Sequence, residues 1–230
     1  MSTVKNIIFD LDGTLIDSAP TLVQILNEML EARGSSRHIN LATIRPFASL
    51  GGAGLVSGVL AQECGDLAQE VADFRARYAL QTTHPDCLYE GVAEGVRELA
   101  AQGYRLAICS NKPQLLCEKV IADLGLDPYF TVVVGSSPGH REKPAPDLLE
   151  LVLSQLGAVR SECLYVGDSE VDHALASATG VRFILVSYGY ANRQFSAENI
   201  ERFSKFPELV RSLSLEQSKF FQASDAAQKG

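Results

Sequence analysis

Long apolar runs are absent from this sequence. The N-terminal stretch "MSTVKNIIFDLDG" contains only a short apolar segment, which Asp10 interrupts, so it does not have the pattern of a secretory signal. Nowhere are there enough consecutive apolar residues to span a bilayer. We therefore expect a cytoplasmic protein that has no membrane partner.

Positive charge is also scarce. The chain has 20 Lys and Arg residues against 28 Asp and Glu residues, which gives a formal net charge of −8. A broad basic surface for nucleic acid or acidic lipid is not expected from this balance. An anionic small-molecule ligand would need positive charge concentrated at its own site.

The five cysteines are odd in number and form no C-x-x-C pair. This pattern argues against a disulfide framework and against a metal–thiolate site. Cys109 and Cys163 fall in strand-like runs, where a free cysteine usually serves as a small buried hydrophobic residue.

Short apolar segments rich in Val and Ile are present, and they alternate with helix-length segments in the later part of the chain. They read "VKNIIFD", "YRLAICS", "TVVVG", "CLYVGD" and "VRFILVS". Continuous apolar strands that alternate with helices are typical of a parallel sheet covered on both faces. The sequence thus predicts an α/β fold built on a Rossmann-like, doubly wound parallel sheet.

One interval breaks this alternation. More than 90 residues separate the first apolar strand from "YRLAICS", far more than a crossover connection needs, and most of them have helical patterns. We therefore predict a helical cap, residues 17–84, inserted into a core formed by residues 1–16 and 85–212. The polar residues 213–230 lack sustained periodicity and are expected to form a frayed tail.

Two carboxylates follow the first strand directly, in "NIIFDLDGTLIDS". If the chain stays extended, Asp10 and Asp12 point the same way. Like charges a few ångströms apart repel each other, and each is costly to remove from water unless positive charge lies between them. The pair therefore indicates a cation, a proton or both.

Polar residues also follow the later strands. Open parallel sheets bind ligands at the carboxyl ends of their strands, so residues at those ends are the informative ones. They are Ser110 and Asn111 after "YRLAIC", Asp168 after "CLYVG", Asp172 one helical turn later, and Lys143 in a loop before a helix. With the first two carboxylates, this set suits a hard cation and a phosphate group.

These motifs, in this order, resemble those of the haloacid dehalogenase superfamily of phosphatases. The matching residues are "DLDGTL" from Asp10, Ser110 after a strand, Lys143 followed by proline, and "GDSEVD" ending at Asp172. Within the superfamily, the segments "DLDGTLIDSAPTL", "SNKP" and "GDSEVDHALASATG" look most like phosphoglycolate phosphatases. The resemblance implies an Mg²⁺-dependent phosphomonoester hydrolase that acts on a small phosphorylated metabolite, 2-phosphoglycolate first among them.

The resemblance also implies roles for the two adjacent carboxylates. Asp10 would be the nucleophile and would form an aspartyl phosphate, while Asp12 would act first as general acid and then as general base. Mg²⁺ would bind the carboxylates of Asp10 and Asp168 and the backbone carbonyl of Asp12.

Further residues would complete the site. By the same resemblance, Lys143 and Ser110 would hold phosphoryl oxygens, and Asp172 would support Lys143 or a metal-bound water. Thr14 is expected to hydrogen-bond Asp12 near the substrate, and Asn111 to reach the substrate. 

The predicted cap should contribute specificity. Phosphoglycolate carries a carboxylate besides its phosphate, so we expect a cation from the cap, and Arg45 in "TIRPFASLGGAG" is the candidate. Relatives often have a Gly-Asn-Gly turn near this point, whereas this chain has Ser49, Leu50 and Gly51. That departure leaves a sugar phosphate open as the substrate.

Three alternatives remain at this stage. A mutase related to β-phosphoglucomutase would share every core motif and differ only in the cap. A phospho-Asp signalling receiver also combines acids, a hydroxyl and a lysine on a parallel sheet, but receivers are shorter and lack a helical insertion. A nucleotide-binding module is suggested by "GGAGLVSG", although no buried strand pattern precedes these glycines.

Overall fold

Six parallel strands form a single sheet in the part of the chain that the computed structural model describes, residues 3–190, 195 and 200–228. The strands are β1 Asn6–Phe9, β2 Arg105–Pro113, β3 Phe130–Ser136, β4 Cys163–Gly167, β5 Arg182–Val186 and β6 Glu201–Phe203. Their order is β3-β2-β1-β4-β5-β6, and every neighbouring pair is parallel. This order confirms the doubly wound sheet that the sequence predicts.

Helices connect the strands and cover both faces of the sheet. Among the described residues the α-helices are α1 Ala19–Ala32, α2 Leu41–Ile44, α3 Gly51–Leu60, α4 Leu67–Leu80, α5 Val92–Ala101, α6 Gln114–Asp123, α7 Asp147–Leu156, α8 Glu170–Thr179 and α9 Phe206–Gln228. No helix among them combines the length and the apolar character needed to cross a membrane.

Successive residues of β1 face opposite sides of the sheet, as extended backbone requires. Ile7 and Phe9 join the larger hydrophobic cluster, which includes buried side chains of α5, α6 and α9. Ile8 joins the second cluster, with side chains of α7 and α8. Cys109 and Cys163 are buried in that second cluster, as the sequence predicts.

The helices α1 to α4 lie in the long interval between β1 and α5. Buried side chains of α1, α3 and α4, among them Leu26, Val56 and Phe74, belong to the larger hydrophobic cluster. α3 also contacts β2, and α4 contacts α6, so these helices pack against the sheet domain on the side of its strand ends. Their assignment as a separate cap, residues 17–84, stays a prediction.

The last helix differs from the expected frayed tail. Phe206, Leu209, Val210 and Leu213 are buried, and α9 continues to Gln228 instead of ending before residue 213. The hydroxyl of Tyr104 donates a hydrogen bond to the carbonyl oxygen of Leu213 over 3.1 Å. These buried residues lie at or before position 213. The polar composition of the following residues therefore gave no indication that the helix continues.

Candidate active site

The reversal of strand order places two carboxylates side by side. β1 and β4 are neighbours in the sheet although they are far apart in the chain, and their loops diverge at this point. Asp10 follows β1 and Asp168 follows β4, and the backbone N–H of Asp10 donates to the carbonyl of Val166 over 2.9 Å. Carboxylate oxygens of Asp10, Asp168 and Asp172 lie within 4.8 Å of one another.

These three carboxylates are buried. Burial raises the pKa of Asp10 to about 6, with nearby Lys143 acting in the opposite direction and Asp172 adding to the increase. The pKa of Asp168 is raised well above its usual range, again mainly by burial and then by the two neighbouring carboxylates. A divalent cation between Asp10 and Asp168 would offset both costs.

The oxygen donors of this cluster fit Mg²⁺. Oδ1 of Asp10 is buried, and no hydrogen bond of acceptable geometry reaches it from the described residues. Lys143 Nζ lies 2.8 Å from this oxygen, but its direction of approach makes the contact ionic rather than a hydrogen bond. An oxygen with an unfilled acceptor position beside a second buried carboxylate, that of Asp168, is suited to a hard cation.

Asp172 differs from the other two carboxylates because its oxygens are occupied. Oδ1 accepts hydrogen bonds from Lys143 Nζ over 2.7 Å and from the Tyr165 hydroxyl over 3.1 Å. Oδ2 accepts from the backbone N–H and the hydroxyl of Ser169, the residue that caps α8. Asp172 therefore holds Lys143 in place, which supports its predicted role beside Lys143.

Lys143 lies between two carboxylates and is buried. Burial alone would lower its pKa, but Asp10 and Asp172 outweigh that effect and raise the pKa above its usual value. The side chain of Asn111 holds the backbone of Lys143 from both sides: its amide donates to the Lys143 carbonyl over 3.0 Å, and its oxygen accepts from the Lys143 N–H over 2.7 Å. This clasp fixes the backbone of Lys143, while Asp10 and Asp172 hold its ammonium group.

A second lysine, Lys112, pairs with Asp12. Its Nζ lies 2.9 Å from each carboxylate oxygen and 4.2 Å from the ring centroid of Tyr78 on α4. Burial acts to lower the pKa of Lys112, but the charge of Asp12 and the contact with Tyr78 raise it overall. The sequence offered one sign of this residue, its place in "SNKP" after a strand, but did not show which group it contacts.

A cavity of about 60 Å³ opens between these residues and the helices α3 and α4. The predicted site residues that line it are Asp10, Asp12, Ser110, Asn111 and Lys143. The facing wall consists of Ser49, Gly51, Gly52, Phe74, Arg75 and Tyr78. Residues distant in the sequence thus form one cavity at the carboxyl ends of β1 and β2.

Two predicted residues lie elsewhere. The Thr14 hydroxyl donates to Asp168 over 3.3 Å rather than to Asp12, and Thr14 is fully buried and absent from the cavity lining. The expected contact of Thr14 with Asp12 is therefore wrong, because the turn after Gly13 directs the side chain toward β4. Arg45 is exposed in the 3₁₀ turn Arg45–Phe47 and does not line the cavity, whereas Arg75 of α4 does.

Curated relatives match this sequence over most of their length. A plasmid-encoded phosphoglycolate phosphatase of Cupriavidus necator is 38% identical over 191 residues, covering 80% of this chain and 81% of that protein. A phosphoglycolate phosphatase of Rhodobacter capsulatus is 34% identical over 213 residues, covering 89% and 95% respectively. A crystal structure of a predicted phosphoglycolate phosphatase from Haemophilus somnus 129PT superposes with a TM-score of 0.80 at 25% identity, over 92% of this chain and 98% of that one.

The family model of the haloacid dehalogenase-like hydrolases matches residues 7–186. This range holds both carboxylates of the first motif, the lysine loop and the acidic motif after β4. The match confirms the resemblance seen in the sequence and sets aside the receiver and the nucleotide-binding alternatives. The chain belongs to the haloacid dehalogenase-like hydrolase family and is an enzyme of its phosphatase type.

Proposed function

We propose that the protein is an Mg²⁺-dependent phosphomonoester hydrolase that acts on a small phosphorylated metabolite, 2-phosphoglycolate, through an aspartyl phosphate. The observation that carries this proposal is the buried cluster of Asp10, Asp168 and Lys143 at the edge of the cavity. Curated relatives that cover most of the chain are named phosphoglycolate phosphatases, which supports the choice of substrate.

Asp10 is the proposed nucleophile. One carboxylate oxygen attacks phosphorus, a bond from Asp10 to phosphorus forms, and the bond from phosphorus to the leaving oxygen breaks. Asp12 donates its proton to that leaving oxygen as general acid. Water then attacks the aspartyl phosphate while Asp12 takes up a proton, and inorganic phosphate leaves with the Asp10 carboxylate restored.

The remaining polar residues hold the phosphoryl group. Lys143 offers a fixed positive charge beside Asp10, and Ser110, which also lines the cavity, offers a hydroxyl donor to another phosphoryl oxygen. The carboxylates of Asp10 and Asp168, with the backbone carbonyl of Asp12, would hold Mg²⁺. When bound, the ion would reduce the repulsion between the phosphoryl group and the nucleophile.

The lining of the cavity suits a phosphomonoester, because the proposed nucleophile, Lys143 and the Ser110 hydroxyl line it together with residues of α3 and α4. A small phosphorylated metabolite bound there would contact both groups of residues. Such a substrate also agrees with the negative net charge, which disfavours nucleic acid as a partner, and with a cytoplasmic location, which stays a prediction.

The direct test is a screen of small phosphomonoesters, ranked by kcat/KM with Mg²⁺ present. We expect 2-phosphoglycolate to rank above sugar phosphates and above p-nitrophenyl phosphate. Removal of divalent metal with EDTA should abolish hydrolysis, and added Mg²⁺ should restore it. Asp10→Asn is the matched control for contaminating phosphatase, and full activity of the chelated enzyme would remove the metal from the mechanism.

A further inference from the structure

Arg75 is a cation that the proposed chemistry leaves without a role. It lies on α4 and lines the cavity, as do Phe74 and Tyr78 of the same helix. Its Nε is buried and has no hydrogen-bond partner among the described residues. Burial of a charged donor without an acceptor is unfavourable, so the charge of this guanidinium is not offset by the described residues. Because Nε is enclosed, a ligand in the cavity would contact the guanidinium through its Nη groups.

The other charged residues of the cavity are already paired. Lys143 contacts Asp10, and Lys112 contacts Asp12, so each lysine has a carboxylate of its own. On the same helix, Arg77 lies outside the cavity lining and pairs with Asp73 over 3.1 Å. Within the described residues, Arg75 takes part in no ion pair, which leaves it as the unneutralised positive charge of the cavity wall.

The start of α3 lies against the Arg75 guanidinium. A Cβ built at Gly52 would lie 3.6 Å from both Nε and Nη2 of Arg75, an ordinary contact distance, so the guanidinium packs beside the backbone of Gly52. The residue before the helix, Leu50, provides no side-chain acceptor for the first backbone N–H groups, and Ser49, Gly51 and Gly52 line the cavity. Arg75 and the start of α3 thus belong to the same wall of the cavity, where the Glu142 carboxylate lies against Gly51.

We infer that Arg75, assisted by the start of α3, binds a second anionic group of the substrate, a carboxylate close to the phosphate. A carboxylate accepts two parallel hydrogen bonds from a guanidinium, and it is favoured at the positive end of a helix. Because Asp10, Lys143 and Arg75 line the same cavity, the two anionic groups belong to one ligand. The substrate class is therefore small phosphorylated carboxylic acids, with Arg75 as the residue that selects them.

This inference rests on the proposed phosphatase function, so the test compares substrates that differ only in the second group. The pair is 2-phosphoglycolate and its neutral amide, 2-phosphoglycolamide. Arg75→Met should lower kcat/KM for 2-phosphoglycolate by about 10- to 100-fold, because the variant loses a charge-assisted hydrogen bond to the substrate. For the amide the same variant should lose less than about 3-fold, because the amide has no charge for the guanidinium to bind.

Arg77→Met is the matched control, since it makes the same change on the same helix outside the cavity, and both substrates should keep their rates within about 2-fold. Arg45→Met tests the residue that the sequence favoured. A selective loss at Arg45 with none at Arg75 would overturn the inference. An equal loss of both substrates in Arg75→Met would also overturn it, since Arg75 would then bind the phosphate or stabilise the fold.

A binding experiment separates this inference from the proposed reaction. In an Asp10→Asn background, titration calorimetry measures the affinity for 2-phosphoglycolate and for its amide without turnover. We expect Arg75→Met to weaken binding of the acid about 10-fold or more and to leave the amide unchanged. If the wild type hydrolyses no phosphomonoester, the proposed function fails. Unchanged affinity of Arg75→Met for the acid would refute the role of Arg75, whatever the reaction.

Discussion

Lys112 Nζ lies 2.9 Å from both carboxylate oxygens of Asp12, so one lysine fixes the orientation of the proposed general acid. Lys112 also lies over the ring of Tyr78, which belongs to helix α4. The side chain of Lys112 is 6% exposed and that of Asp12 is 19% exposed, so the pair is largely shielded from water. The contact links the packing of α4 to the position of the proposed general acid.

Replacement of Lys112 by Met should therefore impair proton transfer more than phosphate binding. General acid catalysis typically accelerates a reaction by about 10²- to 10⁴-fold. If Asp12 is misplaced, a large part of this acceleration should be lost for a substrate with a poor leaving group. We expect kcat/KM for 2-phosphoglycolate to fall by about 10- to 100-fold, and that for p-nitrophenyl phosphate, whose leaving group needs little protonation, to fall much less. Steady-state kinetics on the two substrates measure the difference.

Lys119→Met is the control for this prediction, because Lys119 pairs with Asp123 one turn away on α6 and does not line the cavity. Circular dichroism should show that both variants are folded at the assay temperature. Equal losses on both substrates in Lys112→Met would contradict a role through Asp12.

Asparagine variants of the two adjacent acids should behave differently. Asp10→Asn removes the nucleophile and should form no phosphoenzyme. Asp12→Asn keeps its backbone carbonyl and should still transfer the phosphoryl group from p-nitrophenyl phosphate to Asp10, after which attack by water is slow. Rapid mixing should therefore show a burst of about one nitrophenol per enzyme in Asp12→Asn and none in Asp10→Asn. A burst in Asp10→Asn, or label recovered on Asp12, would reverse the two roles.

The elevated carboxylate pKa values predict how pH affects the stability of the metal-free protein. Burial raises the pKa of Asp10 from 3.8 to about 6, and it also raises the pKa of Asp168 well above its usual range. Between pH 3.8 and about pH 6 the folded state therefore holds more protons on Asp10 than the unfolded state. The free energy of unfolding decreases as pH rises through this range. Hydrogen bonds with Arg141 lower the pKa of Asp147 to about 2, so Asp147 titrates below this range.

We therefore expect the Tm of the EDTA-treated protein to be lower at pH 7.5 than at pH 5. Asp10 alone should contribute on the order of 1 kcal/mol to this change, or about 2–4 °C for a domain of this size. Mg²⁺ should raise the Tm more at pH 7.5 than at pH 5, because only ionised carboxylates bind it. Differential scanning calorimetry with Asp10→Asn as control measures both effects. A Tm that rises with pH in EDTA would contradict the carboxylate assignment.

The sequence was sufficient for the sheet and for the acids at its edge. Each strand begins as a short apolar run, and the residues at or just after the carboxyl ends of parallel strands lie at one edge, so Asp10, Ser110 and Asp168 could be placed without a structure. Gly13 lies at the same edge of the sheet. A Cβ at this position would overlap the Asp168 carboxylate, so the position requires glycine.

The rest depended on packing between helices, which local pattern does not encode. The sequence favoured Arg45 as the cation of the cap and gave no sign of Arg75, and only the packing of α3 and α4 shows that Arg75 lines the cavity. In the same way, the helix α9 is stabilised by contacts of Phe206 and Leu213 with the rest of the core, so the polar residues of its second half gave no indication of its length. Long-range contacts of this kind cannot be deduced from composition.

Substitution of Asp168 and substitution of Asp172 should affect Mg²⁺ binding differently. Both lie in the carboxylate cluster, but the oxygens of Asp172 accept hydrogen bonds from Lys143, Tyr165 and Ser169. Asp168→Asn should therefore raise the Mg²⁺ concentration needed for half-maximal activity by at least about 10-fold. Asp172→Asn should change this concentration by less than about 3-fold while kcat falls, because Lys143 loses the charge that holds it.

Activity measured against Mg²⁺ concentration gives both quantities. Removal of one partner of a buried ion pair costs about 3–5 kcal/mol, so the Tm of Asp172→Asn should also fall, and the assays should be run well below it. Asp147→Asn, which removes an acid paired with Arg141 at the surface, is a control for the general effect of lost negative charge. If Asp172→Asn weakened Mg²⁺ activation as much as Asp168→Asn does, Asp172 would be a metal ligand rather than the residue that positions Lys143.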